Sequence, residues 1–352
     1  MIEVKAIDSA AQEGAWEDFL VGTPGALVYH SIRYRNLLVD HLGCDAEYLM
    51  ALEGGEIRGV LPLMWSGEDG ARICNSLPFY GSHGGPVATA PEFEEELLEA
   101  WNERVTDAST LAGTMVANPF LDRAAPLPAH TMTDERISQI TELPDQAVED
   151  EIMALIRPEA RRNVRTALRL GVSVELDNGD AALAELNRIH QENMRAIGGL
   201  AKSEDFFEAI PRHLRAEDDF DVWIARLDGE PLAALLVLRY NGVAEYFTSG
   251  TRLEHRGDNP HSALLVAAMS HAARRGCRRW NWGGTWVGQT GVYRFKRKWG
   301  AQETRYRYFV QINDKALLDA TPDQLLKRFP NFYVAPFSAL RSAEQAEAGE
   351  LS

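Results

Sequence analysis

The chain has 352 residues, 45% hydrophobic and 25% charged, enough to bury a sizeable core and long enough to favour two domains over one. Its formal net charge is −16 and its three cysteines, Cys44, Cys74 and Cys277, form no CxxC pair, which excludes a disulfide framework, a cysteine-based zinc site and indiscriminate adhesion to nucleic acid. No apolar run approaches the roughly 20 residues that cross a bilayer, and the start does not read as a secretory signal, so a cytoplasmic protein without a membrane span is expected.

The first periodic segment, SIRYRNLLVDHL (residues 31–42), sets Ile32, Leu37, Leu38 and Leu42 at helical spacing. It is followed by LMALEGGEIRGVLPL (residues 49–63), whose alternation broken by Gly-Gly predicts a β-hairpin entering a buried strand. The glycine-rich stretch PFYGSHGG then offers Tyr80 and His83 as polar tips of an acceptor pocket or of a plain structural loop.

A polar stretch over residues 145–151 marks a domain boundary near 148. Beyond it, EIMALIRPEARRNVRTALRLGVSVEL predicts a basic helix that starts at Pro158 and stops at Gly171. Arg162 and Arg165 share one face of that helix and are candidates for gripping a phosphate. SEDFFEAIPRHL (residues 203–214) predicts a helix with Ser203 as N-cap.

WIARLDGEPLAALLV (residues 223–237) repeats the first hairpin at an offset of 174 residues: Ala51 meets Ala225, Gly55 meets Gly229, Glu56 meets Glu230 and Gly59 meets Ala233. The chain therefore contains two related α/β units. After the second hairpin come a strand, VAEYFTSG, a helix ending at Gly276, and a strand, CRRWNWGG, read as ending in two glycines where the backbone can approach a ligand; Trp282, Gly283 and Gly284 are candidate binding residues there.

GVYRFKRKWGA (residues 291–301) reads as a strand or loop, with Tyr293, Phe295 and Arg297 on one face and Arg294, Lys296 and Lys298 on the other. Residues 252–310 hold twelve Lys and Arg against three Asp and Glu, a local excess of +9 that suits a phosphate-bearing ligand. No histidine pair has the spacing of a metal site, and a metal is not expected. The terminal SAEQAEAGELS reads as a frayed tail.

Taken together, RPEARRNVRTALRLGVSVEL, QENMRAIGG, the FTSG strand with NPHSALL, and WNWGGTWVGQTGVYRFKRKWGA resemble the FemX/FemAB group of amide-forming transferases; SLPFYGSHGGPV and the first hairpin fit as well. The resemblance spans residues 29–310. It implies an α/β fold with mixed sheets, built as two tandem GNAT-like units: residues 1–148, onto which 316–352 would pack back, and residues 149–315 carrying the donor site. It also implies an aminoacyl-tRNA or acyl-CoA donor as substrate, no cofactor, a primary amine on a sugar or peptide-like acceptor, and possible engagement of tRNA.

Within that resemblance, Phe295-Lys296 matches the Phe-Lys pair near the donor end, which makes Lys296 the candidate catalytic cation, with Tyr293 and Phe295 beside it. The segment HSIRYRNLL departs from the group's Gln-Ser-x-x-Trp pattern at His30 and Tyr34, and Leu38 stands where a lysine would follow, which points away from a UDP-linked acceptor. Where acetyl-CoA-binding units carry Q/R-x-x-G-x-G/A, this chain reads HRGDNPHSALL: Pro260 removes an N–H and Asp258 adds a negative charge. An aminoacyl-tRNA donor is therefore favoured over an acyl-CoA. A tandem module that binds ligand without catalysis is the alternative from another class. The proton acceptor stays unassigned among Asp45, His83, His255, Asp258 and water, as does the oligomeric state.

Overall fold

The computed structural model describes residues 1–121 and 127–342. Most of the expected frayed tail, residues 343–352, lies outside the described residues. Two units form, one from Met1–Arg136 with the chain from Arg305 onward, the other from Ile137–Thr304.

The first unit runs β1 (Ile2–Ala6), α1 (Ala10–Leu20), α2 (Ile32–Leu42), β2 (Asp45–Glu53), β3 (Glu56–Ser66), β4 (Arg72–Asn75), β5 (Val87–Ala88), α3 (Pro91–Thr106) and β6 (Thr110–Val116), then enters β7 (Met132–Glu142). Ser31 caps α2, its hydroxyl accepting from the Tyr34 N–H at 3.2 Å. The β2–β3 hairpin turns on Gly54 and Gly55, both with positive φ. β4 runs antiparallel to β3, and the α3 crossover then brings β6 parallel to β4. Phe93, Leu97, Trp101 and Val105 of α3, spaced by four residues, are buried against the sheet; each such side chain contributes roughly 1.5–3 kcal/mol of apolar burial.

The second unit continues with α4 (Glu149–Leu155), α5 (Pro158–Arg169), β8 (Ser173–Leu176), α6 (Asp180–Ile197), α7 (Glu204–His213), β9 (Phe220–Leu227), β10 (Glu230–Tyr240), β11 (Val243–Thr251), α8 (Pro260–Arg274), β12 (Arg279–Trp286) and α9 (Thr290–Arg297), then enters β13 (Gln302–Ile312); α10 (Pro322–Arg328) follows in the first unit. Pro158 opens α5 and Gly171, at φ +88°, follows its end. β9 and β10 form the second hairpin, β11 pairs antiparallel with β10, and the α8 crossover sets β12 parallel to β11. α8 is apolar nearly all round because the same core holds residues of the sheet on one side and of α4 and α5 on the other.

The internal repeat is structural, down to its irregularity. In β3 the register passes from Leu52↔Ile57 to Ala51↔Gly59, leaving Arg58 as the extra residue of a bulge. In β10 it passes from Pro231↔Arg226 to Ala233↔Ala225, leaving Leu232, the residue 174 positions on. Both units also share the order hairpin, antiparallel strand, helical crossover, parallel strand.

The unit boundaries differ from those expected at 148 and 316: they fall at 136 and 304, inside β7 and β13. Strand pairing sets them. β13 residues 308–312 pair with β6, and β7 lies beside β12 in the sheet order, so each unit takes its last strand from a segment distant in sequence. The polar stretch near 148 only marks the start of α4. Asn75 clamps the returning segment, donating to Tyr333 O at 2.9 Å and accepting from Tyr333 N–H at 2.8 Å.

A second correction concerns residues 291–301, where helix α9 runs to Arg297 and a turn follows, and no strand forms. Tyr293, Phe295 and Trp299 fit a period of two, yet Phe295, Lys296 and Trp299 also fit a helical face, and in so short a segment periodicity cannot separate the two. Burial decides: Lys296 and Trp299 turn inward while Arg294 and Arg297 face solvent. The glycine pair is likewise not a strand end, because β12 continues through Gly283 and Gly284 to Trp286.

Candidate active site

The parallel register of β11 and β12 ends at Glu245↔Asn281, although β11 continues to Thr251 and β12 to Trp286. Where it ends, β11 is bulged: Val237 pairs with Tyr246 and Leu236 with Thr248, so Phe247 is the extra residue. A bulge increases local twist, and the two strands part. At the fork, Asn281 donates to Glu245 Oε2 at 2.8 Å and accepts from the Gly283 N–H at 3.0 Å, both side chains buried.

Aromatic rings pack beside the parted strands. Trp282 lies 5.1 Å from Tyr246 and 5.9 Å, edge to face, from Phe295, with Trp299 at 6.2 Å between centroids. Tyr246 OH meets His261 Nε2 at 3.0 Å. Burial pushes the His261 imidazole down to about 4, so it is neutral at physiological pH.

Lys296 anchors the other wall. Its ammonium donates to Gly283 O and Gly284 O, each at 3.2 Å, and to Thr285 Oγ1 at 2.8 Å. The side chain is only 5% exposed, and burial pushes its pKa down from 10.5 to about 7. Thr285 Oγ1 in turn donates to Gln139 Oε1 at 3.2 Å, and Gln139 Nε2 donates to the Tyr293 carbonyl at 3.1 Å. Thr141 links Trp282 Nε1 (2.9 Å) to the Trp299 carbonyl (3.0 Å). Two polar residues of β7 therefore fasten β12 to α9 and its C-terminal extension, with Lys296 between them. Gly283 sits at φ +71°, a conformation that favours glycine, and Gly284, whose carbonyl is one of the ammonium's partners, is exposed.

The structure thus gathers Trp282, Gly283, Gly284, Phe295 and Lys296. Tyr293 belongs to the same helix, but its hydroxyl bonds to Glu303 and its ring faces the Arg297 guanidinium at 5.8 Å. Arg162 and Arg165 are exposed on α5 and line a separate hollow of about 660 Å³ with Leu168 and Arg169. Tyr80 and His83 lie in the first unit and are buried there. Tyr80 OH bonds to His41 Nε2 at 2.7 Å, and the His83 ring packs edge-on against Tyr306 at 4.7 Å, so both turn inward and do not present free polar tips. Thr285, Gln139 and Thr141 were not foreseen.

Residues 156–297 match the family of acetyltransferase (GNAT) domains. The second unit is a GNAT domain. The whole chain has a fold of two tandem GNAT-like units. The crystal structure of FemX superposes on this chain with a TM-score of 0.70 at 15% identity, covering 90% of this chain and 98% of that one. L-PGS from Bacillus licheniformis also superposes, with a TM-score of 0.51 at 10% identity over 92% and 96% of the two chains. A tandem GNAT protein from the clavulanic acid biosynthesis pathway does so at 0.50 and 12% identity, over 89% and 98%. No curated protein matches the chain by sequence. Among the described residues no helix is long and apolar enough to cross a membrane.

Proposed function

We propose that this protein is an amide-forming transferase that moves an aminoacyl or acyl group from an anionic carrier onto a primary amine. The observation that carries the reading is Lys296: a buried ammonium with a pKa near 7, held on the carbonyls of Gly283 and Gly284 next to parted parallel strands. Attack of a neutral amine on the donor carbonyl forms the C–N bond and places negative charge on the carbonyl oxygen. Collapse breaks the C–O bond of an ester or the C–S bond of a thioester, and the amine's proton leaves with the departing group or water. Holding the reactants together and placing a cation near the developing oxyanion supply the acceleration. No protein nucleophile is needed.

An aminoacyl-tRNA donor is favoured by the start of α8. Asn259 there has φ +57°, Pro260 contributes no N–H, and the Asp258 carboxylate sits 2.9 Å from His255 Nδ1, a poor cradle for a pyrophosphate. The match of residues 156–297 to acetyltransferase domains supports an acyl-CoA donor as the second reading. Incubating the protein with aminoacyl-tRNA, acyl-CoA and a panel of amines, then identifying products by mass spectrometry, separates them: the first reading predicts amides formed from the aminoacyl ester, and amides formed only from thioesters overturn it.

A further inference from the structure

In a chain of net charge −16, arginines pair with carboxylates: in the second unit Arg188, Arg226, Arg239, Arg252 and Arg278 all do. Others do not, Arg195 and Arg294 among them, and helix α5 gathers three such arginines on one face. Arg157, Arg162 and Arg165 have no carboxylate partner among the described residues, and Arg169 bonds only to Thr166 and the Arg165 carbonyl within its own helix. The one acid on this helix, Glu159, is already matched by Lys298 at 3.5 Å.

The outward side of α5 is not simply polar. Ala160, Val164 and Ala167 are buried in the core, which turns Arg162, Arg165 and Arg169 to solvent at i, i+3 and i+7. Among them stands Leu168, 55% exposed, and Leu170, 48% exposed, follows at the helix end. Arg162, Arg165, Leu168 and Arg169 line one hollow; Arg165 and Leu168 also line a neighbouring one, which they share with Glu149 and Asp150 of α4.

We propose that this outer face of α5 docks on an anionic bilayer surface, its unpaired arginines binding lipid phosphates while Leu168 and Leu170 enter the headgroup layer. Charge complementarity alone would serve any polyanion. The exposed leucines among the arginines supply the second, apolar signal that reversible membrane attachment needs. A nucleic acid backbone gains nothing from those leucines, and this face has no aromatic ring on which a base would stack. The inference does not depend on the transfer reaction proposed above.

The test is flotation of the full-length protein with vesicles of phosphatidylcholine alone and of phosphatidylcholine with phosphatidylglycerol. Binding is expected only to the phosphatidylglycerol vesicles and should weaken with added salt. Arg162→Ser/Arg165→Ser should lower the partition coefficient about tenfold or more, and Leu168→Ser should lower it several-fold. All three positions are exposed, and circular dichroism checks that the variants fold. Equal binding to both vesicle types, no binding to either, or variants that bind as the wild type does would overturn the proposal. So would tighter binding to uncharged-acceptor tRNA that needs the arginines but not Leu168.

Discussion

The ammonium of Lys296 and the hydroxyl of Thr285 lie 2.8 Å apart, joining helix α9 to the strand that carries Gly283 and Gly284. Thr285→Val removes one of three acceptors around this cation, a loss of about 1.5–3 kcal/mol for a hydrogen bond to a charged group. Turnover should fall by about tenfold, because the ammonium is no longer held in place. Lys296→Met should lower kcat by about a hundredfold or more, the usual effect of removing a group that stabilises an oxyanion. A Lys296→Met enzyme with wild-type kcat would show that the cation is purely structural.

The pH dependence of stability has a definite sign. Folding lowers the Lys296 pKa from 10.5 to about 7, so between those values the unfolded chain binds a proton that the folded chain has released. Lys296 therefore adds a term that raises stability as pH climbs from about 7 to about 10.5, and below pH 7 its burial penalty is constant. Urea midpoints of the wild type and Lys296→Met, compared at pH 7 and pH 10, should move in the wild type's favour at the higher pH. A difference that does not change with pH contradicts the assignment.

Gly283 and Gly284 should respond differently to a methyl group. Gly283 sits at φ +71°, so Gly283→Ala should cost about 1–2 kcal/mol and lower the Tm. Gly284 is exposed and is not in the left-handed region, so Gly284→Ala should leave the Tm within a degree or two while raising the KM for the donor. If Gly284→Ala leaves KM unchanged as well, no ligand approaches the backbone there.

Much of this fold could be read from local pattern. The two hairpins declare themselves through alternation interrupted by Gly54-Gly55 and Asp228-Gly229, and α5 is bracketed by Pro158 and Gly171, because these signals act within a few residues. What could not be read depends on contacts between distant segments. Gln139 meets Thr285 across 146 positions, a pairing that exists only because β7 lies beside β12. The helical state of residues 290–297 is similar: it is settled by Lys296 and Trp299 turning inward, which an eight-residue pattern of alternating rings and cations does not reveal. Tyr80 and His83 were visible as residues of a glycine-rich loop, but not the inward turn that gives them His41 and Tyr306 as neighbours.

The two-point clamp of Asn75 on Tyr333 predicts how the C-terminal segment is released. Asn75→Ala leaves the Tyr333 N–H without its buried acceptor, at about 1–3 kcal/mol, while the Tyr333 carbonyl keeps the Thr114 hydroxyl at 3.2 Å. Limited proteolysis should then cut within residues 313–342 faster than in the wild type, while the second unit keeps its protection. Equal cleavage rates would mean that other contacts hold the segment.

The central claim, that Lys296 serves amide formation from an activated carboxyl donor, is tested most directly by mass spectrometry of single-turnover reactions with aminoacyl-tRNA and a primary amine, run on the wild type and on Lys296→Met in parallel. The account predicts an amide of the aminoacyl group in the wild-type reaction and at least a hundredfold slower appearance in the variant. Amide formed at equal rates by both proteins would contradict it.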